Sequence, residues 1–469
     1  DFLIITYTRA AASELRGKIA KALTERMERD PGNYHLRQQM LRVYRADIKT
    51  VDAFCTALLR ENCHLLGEDA RGHALRPDFR VLDENEAQVL RERVLARTLD
   101  DFYDCLTPGG TLLADTLGAG RDDSALEDLV LELHAKLQAQ PYEDKWLEAQ
   151  RAFWRAVPDK IEDTPYGKIL LNEVRRKARH CKNLLQRAAQ EMCANDALNQ
   201  KYAPAFLDAS YQLEALEGKT AEGWDAARGV TIAFPRLAAV KDSDGGEMKA
   251  RMKSLWDNCK ETVKGFAEIF SASSDEAVED LRTMAPAMLA LIDLTADFSR
   301  RYNEEKRRRN SADFSDQEHE AIRLLIGEDG APTELAHIVS ARYREIMVDE
   351  YQDTNEVQNR IFDAISCKGE NLFTVGDVKQ SIYRFRLADP RIFLQHYNTW
   401  PPLEDAEEHD SAKLLLSRNF RSRKEVLDAT NFIFCNILSE EMGELDYGAD
   451  EMLRLGANYV ESSACGAEF

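Results

Sequence analysis

Two adjacent carboxylates follow an uninterrupted apolar segment in this 469-residue chain: residues 346–348 (I-M-V) lead directly into Asp349 and Glu350. Such a segment predicts a strand covered on both faces, and the carboxyl ends of these strands carry functional side chains. In nucleotide hydrolases, an aspartate placed there binds Mg²⁺, directly or through water, while a glutamate activates the attacking water. A V-D-E triplet is common by chance, but the extended spelling D-E-Y-Q-D is much rarer, so the pair predicts metal-assisted nucleotide hydrolysis.

A second apolar segment, residues 372–375, leads through Gly376 and Asp377 to Gln380. Because parallel strands end at the same edge of a sheet, we expect this glutamine to lie near the two carboxylates. A carboxamide can contact a γ-phosphate without adding charge. The three side chains therefore predict one shared nucleotide cleft.

Aromatic and basic residues alternate shortly afterwards, as Tyr383, Arg384, Phe385 and Arg386. Aromatic rings stack on bases and guanidinium groups pair with phosphates, and this combination binds single-stranded nucleic acid. The alternative is an ordinary strand with one face buried and the other exposed.

A third apolar segment, residues 414–416, predicts another strand, and Arg421 follows it closely. An arginine in this position can reach across a cleft to a nucleotide as an arginine finger. The alternative is a surface arginine in a salt bridge.

The amino-terminal part repeats the pattern of a strand end before a helix. Residues 2–6 predict a buried strand that runs into the hydroxyl and aromatic residues T-Y-T-R, and residues 48–50 predict a second strand end before V-D-A-F-C. Hydroxyl groups and first-turn amides at such positions suit the phosphates of a nucleic-acid backbone.

The length suits about three domains, at roughly 100–200 residues per domain. The sequence also divides by texture: alternating strands and helices in residues 1–83 and 311–400, helices alone in 84–310, and alternation again in 401–469. Ser124 and Glu127 have the spacing of a capping box, and Asp83 with Glu86 can open another helix of this part. This pattern predicts an α/β protein with a large helical insertion, for which we expect roles in packing and surface only.

The balance of charge is acidic, with 62 Lys+Arg against 83 Asp+Glu and a formal net charge of −21. An acidic total disfavours nucleic-acid binding, so only the local distribution of Lys and Arg can decide the question. The basic run at residues 306–309 (K-R-R-R) is by itself typical of a solvated face. A hydrophobic content of 44% with 31% charged residues excludes a disordered chain, and no apolar run approaches the ~20 residues needed to cross a bilayer.

Nine cysteines are scattered along the chain without a C-x-x-C pair. Their spacing argues against a disulfide framework or a ribbon-type zinc site and suits the reducing cytoplasm, as does the absence of a signal peptide. Because Asp1 is followed at once by a strand pattern, we expect the chain to be a fragment of a longer protein.

Taken in order, these segments resemble the motifs of the superfamily 1A (UvrD-like) DNA helicases. T-Y-T-R-A-A-A-S-E-L is similar to motif Ia, T-V-D-A-F-C to motif Ic, V-D-E-Y-Q-D-T to motif II, G-D-V-K-Q-S-I-Y-R-F-R to motif III and L-S-R-N-F-R-S to motif IV. The stretch V-G-D-V-K-Q-S-I-Y-R-F-R-L-A-D-P is most similar to the AddA type, the helicase–nuclease subunits of bacterial double-strand-break repair, and A-D-F-S-D is also similar to that type. The resemblance implies a first RecA-like domain (1A) in residues 1–83 and 311–400, an inserted helical domain (1B) in 84–310 and the beginning of a second RecA-like domain (2A) in 401–469.

The resemblance also implies a role for each matching residue. Asp349 and Glu350 would bind Mg²⁺, and Glu350 would activate water. Gln380 would sense the γ-phosphate of ATP. Phe420 would stack near the adenine, and Arg421 would be the finger from the second RecA-like domain. The predicted single-strand track is formed by Tyr7, Arg9, Thr50, Asp52, Tyr383, Phe385 and Arg386.

Some of the family's features are altered or absent here. Arg9 stands where the family usually has Asn, and Asp52 where many members have His. The 469 residues contain no G-x-x-x-x-G-K-[ST] phosphate loop. Because the family places that loop just before motif Ia, we expect it upstream of this chain, and we expect these residues alone not to hydrolyse ATP. Motifs V and VI are expected after the last residue.

The resemblance thus predicts part of an ATP-dependent DNA helicase and translocase that uses ATP and Mg²⁺. It implies single- and double-stranded DNA as substrates, an AddB-like partner subunit, a nuclease domain elsewhere in the protein, and a role in double-strand-break repair and recombination. Two alternatives stay open: a non-catalytic module that binds single-stranded DNA or a partner, and a UvrD-like repair helicase without a nuclease.

Overall fold

The computed structural model describes residues 2–68, 71–117, 124–241, 246–366, 369–381, 388–408, 410–439 and 445–458. The chain forms two compact units. The first comprises Asp1–Cys105, Leu117–Leu147 and Asp293–Phe469, and the second comprises Leu106–Thr116 and Glu148–Ile292. Residues of the predicted helical insertion thus contribute to both units, and the three-domain division stays a prediction.

The strands are short, and they are β1 (Phe2–Thr6), β2 (Asp47–Thr50), β3 (Arg80–Val81), β4 (Ser311–Ala312), β5 (Glu345–Val348), β6 (Leu372–Thr374), β7 (Arg418–Asn419) and β8 (Arg454–Leu455). Four of them form a parallel sheet in the order β2-β1-β5-β6. The pairs β3–β4 and β7–β8 are also parallel. The α/β fold class with a parallel sheet is confirmed.

The helices of the first half are α1 (Arg9–Arg29), α2 (Tyr34–Val43), α3 (Val51–Asn62), α4 (Glu84–Asp104), α5 (Pro108–Leu117), α6 (Ser124–Gln138), α7 (Glu143–Arg155), α8 (Pro165–Met192) and α9 (Asp196–Lys201). Those of the second half are α10 (Ala203–Lys219), α11 (Trp224–Arg228), α12 (Gly246–Ile269), α13 (Ser274–Arg308), α14 (Phe314–Leu325), α15 (Glu334–Ser340), α16 (Glu356–Ile365), α17 (Pro390–Thr399) and α18 (Lys424–Ile437). Across the described ranges, none of these helices has the length and apolar composition that a membrane crossing requires.

The core of the first unit packs against one face of the sheet, whereas Phe2 and Phe373 on the opposite face are exposed, so the strands are not covered on both faces as predicted. Leu3 and Ile5 of β1 and Ile346 of β5 are fully buried among side chains of α3, α14 and α16. The strands are in register, so that Ile5 pairs with Val348 and Val348 with Thr374. Parallel pairing therefore brings the carboxyl ends of β1, β5 and β6 to one edge of the sheet.

The second unit is helical and has its own apolar core. Phe206 of α10 and Trp256 of α12 stack with ring centroids 4.8 Å apart, and Phe234 contacts the same tryptophan edge-on. Buried residues of α8, α10 and α12 surround these rings. Aromatic packing of this kind suits the packing role predicted for the helical insertion.

The start of α4 forms as predicted, whereas the segment before β7 does not. The predicted helix start at Asp83 and Glu86 is confirmed, and the two residues form a capping box at the start of α4. The strand predicted at residues 414–416 is wrong, because these leucines lie in irregular, exposed chain and the strand begins only at Arg418. Its backbone pairs with β8, whereas no described strand borders the leucines.

The basic run at the end of α13 is also not a simple solvated face. Arg308 and Arg309 are exposed, and both form ion pairs with Glu305 on the same helix. Lys306, however, is only 1% exposed and bonds two carboxylates of the following segment. The carboxylates of Asp313 and Asp316 thus hold Lys306, one member of the run, in the interior.

Candidate active site

The two predicted carboxylates lie directly after β5, at the carboxyl edge of the sheet. The Asp349 N–H donates to the Ile5 carbonyl at 3.1 Å, which extends the β1–β5 ladder by one residue. The carboxylate of Asp349 is half-buried and accepts the Glu350 N–H at 3.1 Å, while the Glu350 side chain is exposed. One carboxylate is therefore fixed by the sheet and the other projects into solvent.

Glu350 has a left-handed backbone conformation, with φ 52° and ψ 42°. Such a conformation is unfavourable for a residue with a Cβ and persists only where the surroundings enforce it. Here Tyr351 donates its N–H to the Val375 carbonyl at 2.8 Å, and Asp353 donates to the Glu350 carbonyl at 2.9 Å. The turn Tyr351–Asp353 is thus tied to the neighbouring strand end, and it aims Glu350 away from the core.

A buried glutamine links the ends of β5 and β6. Gln352 is 1% exposed, and its Nε2 donates to Glu350 Oε2 at 2.8 Å. Its Oε1 accepts the Asp377 N–H at 2.9 Å. The residue fits beside Gly376, where a Cβ would approach Gln352 Oε1 to 2.7 Å. The sequence alone gives no role to Gln352, although the residue stands inside D-E-Y-Q-D.

Asp377 continues this link to the predicted γ-phosphate sensor. Its Oδ2 accepts from Gln380 Nε2 at 2.8 Å, and its Oδ1 accepts from the Lys379 N–H at 3.1 Å and lies 2.8 Å from Lys379 Nζ. A chain of hydrogen bonds therefore runs from Glu350 through Gln352 and Asp377 to Gln380. The structure brings the predicted glutamate and glutamine into one network.

A third carboxylate belongs to this region. Burial raises the pKa of Asp353 to about 6, and the charge of Glu350 adds to the effect. Its Oδ1 is buried and has no hydrogen-bond partner among the described residues. Glu350 thus faces an acid that is partly protonated near neutral pH.

The adjacent Asp349 and Glu350 carboxylates suit Mg²⁺, which usually takes one or two protein carboxylates and leaves its other positions to water and phosphate oxygens. Within the described ranges, no group of three or more His, Cys, Asp or Glu side chains is arranged to hold a metal by itself. The donor set present here fits an ion that is shared with a nucleotide.

The two residues predicted to contact the nucleotide from the second RecA-like domain lie just after β7. Asn419 Oδ1 accepts the N–H groups of Arg421 at 2.9 Å and Ser422 at 2.8 Å. Arg421 is exposed, and it adds to the effect of Lys18 in lowering the pKa of Glu14 on α1. Arg421 is not part of the hydrogen-bond network that joins Glu350 to Gln380.

Phe420 is 66% exposed, and its ring lies beside Gly456. A Cβ at residue 456 would come within 2.8 Å of this ring. The absence of a side chain at Gly456 therefore makes room for the ring of Phe420. The sequence alone did not indicate this contact.

Tyr7, from the predicted single-strand track, turns its hydroxyl into the protein. The hydroxyl lies 2.6 Å from Thr354 Oγ1 and donates to Gln358 Oε1 at 3.2 Å. Burial raises the pKa of Tyr7, so the phenol stays protonated. Its ring is half-buried, at the carboxyl end of β1.

The other described members of the predicted track lie around the starts of α1 and α3. Arg9 is exposed in the first turn of α1. Thr50 is buried and caps α3, because its hydroxyl accepts the Ala53 N–H at 3.2 Å. Burial raises the pKa of Asp52, and the charge of Arg9 opposes this effect. Tyr383, Phe385 and Arg386 lie outside the described residues.

Residues 1–401 match the UvrD/REP helicase N-terminal domain. The chain is also 35% identical over 477 residues to an ATP-dependent helicase/nuclease subunit of the A type from Ruminiclostridium cellulolyticum, and 35% identical over 481 residues to that of Acetivibrio thermocellus. The protein of the same name from Desulfitobacterium hafniense is 36% identical over 488 residues. Each match covers 98% of this chain but only 37%, 37% and 34% of the respective relative, so the chain spans about a third of their length.

Proposed function

The chain belongs to the UvrD/REP helicase family, and on that premise we propose that it forms the motor part of an ATP-dependent DNA helicase of the AddA type. In this proposal, ATP hydrolysis at the edge of the sheet drives movement along single-stranded DNA and separation of the duplex. The observation that carries the proposal is the network from Glu350 through Gln352 and Asp377 to Gln380, at the carboxyl ends of adjacent parallel strands.

The proposed roles on the nucleotide side follow from this geometry. Asp349, fixed by its bond to β1, holds Mg²⁺, and the ion supplies charge neutralisation at the phosphates. Glu350, which projects into solvent, accepts a proton from the attacking water. Gln380 contacts the γ-phosphate. Loss of that phosphate changes the hydrogen bond from Gln380 to Asp377, and the change is transmitted through Gln352 to Glu350. Phe420 stacks on the adenine, and Arg421 completes the site when the second RecA-like domain closes.

On the nucleic-acid side, we propose that DNA follows the strand ends that carry Tyr7, Arg9, Thr50 and Asp52, together with the segment from Tyr383 to Arg386. The start of α3 presents first-turn amides to a phosphate. Arg9 supplies the positive charge beside Asp52.

The wider setting of the proposal comes from the relatives, which are named as helicase/nuclease subunits. We propose that the complete protein works in the cytoplasm in double-strand-break repair and recombination. It would act on single- and double-stranded DNA with an AddB-like partner subunit. Nuclease activity in the complete protein distinguishes this assignment from a UvrD-like repair helicase.

The deciding experiment measures ATP turnover by the complete gene product, with and without single-stranded oligo-dT. We expect strong stimulation by the DNA. A wild-type protein that hydrolyses ATP no faster with DNA than without it would refute the proposed motor function.

A second candidate function applies to these 469 residues on their own, and the observation that favours it is the lack of a G-x-x-x-x-G-K-[ST] sequence. Without the amides and lysine of that loop, the phosphates of ATP lose most of their ligands. The purified chain should therefore bind oligo-dT without turning over ATP. Hydrolysis by this chain that Glu350→Gln abolishes would contradict the candidate.

A further inference from the structure

Tyr7 connects two parts of the proposed machinery that are far apart in sequence. Its hydroxyl, just after β1, lies 2.6 Å from the hydroxyl of Thr354, which ends the motif V-D-E-Y-Q-D-T. Thr354 is fully buried, and its N–H donates to the Tyr351 carbonyl at 3.1 Å. The turn Tyr351–Asp353 then leads back to Glu350. One side-chain contact thus joins the proposed DNA segment to the proposed catalytic turn.

Gln358 on α16 fixes this contact. Its Oε1 accepts from the Tyr7 hydroxyl at 3.2 Å and from the Asn355 N–H at 3.3 Å. Its Nε2 donates to Glu318 Oε1 at 2.7 Å. Because both the oxygen and the nitrogen of the carboxamide have partners, the group cannot rotate without losing hydrogen bonds.

Glu318 on α14 completes the network from the other side. The residue is only 8% exposed, and burial raises the pKa of its carboxyl to about 7. Asn355 provides a further hydrogen bond, while Asp52 at the start of α3 adds to the rise in pKa and His319 opposes it. A buried carboxyl contributes little to packing, but a satisfied polar network restricts a core to one arrangement. Glu318 therefore serves to orient Gln358.

We infer that Glu318 and Gln358 are positioning residues through which DNA bound at Tyr7 and Arg9 acts on the catalytic turn. This inference rests on the proposed function. A displacement of the Tyr7 ring by a bound base must either move Thr354 or break the bonds to Thr354 and Gln358. With Gln358 held by Glu318, the movement passes to Thr354 and hence to the turn behind Glu350.

The test follows backbone hydrogen exchange in the 469-residue chain by mass spectrometry, with and without saturating oligo-dT. In the wild type, we expect DNA to slow exchange in residues 349–355 by at least about threefold. Gln358→Met keeps the volume of the side chain but removes its carboxamide. This variant should bind oligo-dT within about twofold of the wild-type affinity and lose the slowing at residues 349–355.

Three further variants make the result specific. Gln395→Met, at an exposed position of α17, is the matched control and should behave as the wild type. Glu318→Gln keeps an oxygen that can accept from Gln358, so this variant should retain the slowing of exchange at residues 349–355. A substitution that acted only by disrupting the fold would abolish the slowing. Thr354→Val removes the hydroxyl with little change in shape and should abolish the effect even if Gln358→Met does not fold.

The outcomes separate the two ideas. A wild-type chain with no affinity for oligo-dT removes the proposed DNA segment and this inference with it, whereas the motor function is decided by the ATP turnover of the complete gene product. A wild-type chain that binds oligo-dT while exchange at residues 349–355 stays unchanged overturns the inference alone. Retention of the slowing in Gln358→Met and Thr354→Val would overturn it as well.

Discussion

Two groups of carboxylates in the first unit have the same chemistry and opposite surroundings. The strand-end group comprises Asp349, Glu350 and Asp353, and no Lys or Arg of the described residues forms an ion pair with any of them. The buried group comprises the buried Asp313 and the half-buried Asp316, and both bond to Lys306 Nζ, at 2.9 and 2.6 Å.

The buried group is satisfied within the protein. Burial alone would raise the pKa of Asp313, but the charge of Lys306 and hydrogen bonds lower it. Burial and the charge of Asp313 raise the pKa of Asp316 to about 7. Tyr302 donates to Asp313 at 3.0 Å, and Lys306 Nζ lies 4.0 Å from the centroid of the Tyr302 ring. These contacts join the end of α13 to the start of α14.

The difference teaches how the same residue type is used for structure or for chemistry. A buried carboxylate that has a cation of its own stabilises the fold as long as both partners are present. A carboxylate at a strand end without such a cation is available for an ion or a proton from outside. The left-handed conformation of Glu350 adds to this contrast, because backbone strain at an exposed acid supports the role that we propose for it.

The largest expected effect separates the two groups by activity. Glu350→Gln in the complete gene product should reduce DNA-stimulated ATP turnover by about 10²–10⁴-fold, because a carboxamide cannot accept the proton of water. Thermal unfolding should hardly change, since the side chain is exposed. Steady-state kinetics check this, with Glu328→Gln, at another exposed position, as the control. Near-normal turnover would place Glu350 outside the chemistry.

Lys306→Met should have its effect on stability instead. Removal of the cation leaves the buried Asp313 and the half-buried Asp316 without a counterion, which should cost about 3–5 kcal/mol in the free energy of unfolding. Urea denaturation of the 469-residue chain measures this. Lys18→Met, which removes an exposed pair with Glu14, should cost at most about 1 kcal/mol. Equal losses in the two variants would end the distinction between the groups.

Gly376→Ala tests the support of the strand-end group. The added Cβ would lie 2.7 Å from Gln352 Oε1 and 3.2 Å from both Gln352 N and Phe393 Cε1. Relief of this overlap should cost about 1–3 kcal/mol in stability and disturb the link from Glu350 to Gln380. Gly17→Ala, in open space on α1, should instead stabilise the chain by up to about 1 kcal/mol. Shifts of the urea midpoint in opposite directions, down for Gly376→Ala and up for Gly17→Ala, would confirm the prediction.

Asp353→Asn should give the smallest effect, visible in the dependence of stability on pH. The folded-state pKa of about 6 lies above the ordinary 3.8, so the folded chain holds this proton more tightly than the unfolded chain does. The resulting stabilisation is present below pH 4 and is lost as the pH rises through 6. Asp353→Asn removes this titration, so the free energy of unfolding of the variant should rise by about 0.5 kcal/mol relative to that of the wild type between pH 4 and 7. The effect is small because the side chain is partly exposed. Denaturation midpoints that keep a constant difference across this range would contradict the assignment.

Local pattern predicted much of the fold. The strands that end before Tyr7, Asp349 and Gly376 form as predicted, because an apolar segment followed by polar residues is a property of adjacent positions. The leucines at 414–416 have the same pattern but are not a strand, since a strand also requires a neighbour for its backbone hydrogen bonds. The local sequence pattern does not show whether such a neighbouring strand is present.

The sequence by itself determined the types of the proposed reacting groups and the strand ends that present them. Only the tertiary structure decided that Gln352 joins Glu350 to Asp377, that Lys306 lies inside rather than in solvent, and that Tyr7 bonds Thr354. The physical reason is that burial and hydrogen-bond partners depend on residues brought from distant parts of the chain. The free energy of a charge or an amide is set by those neighbours.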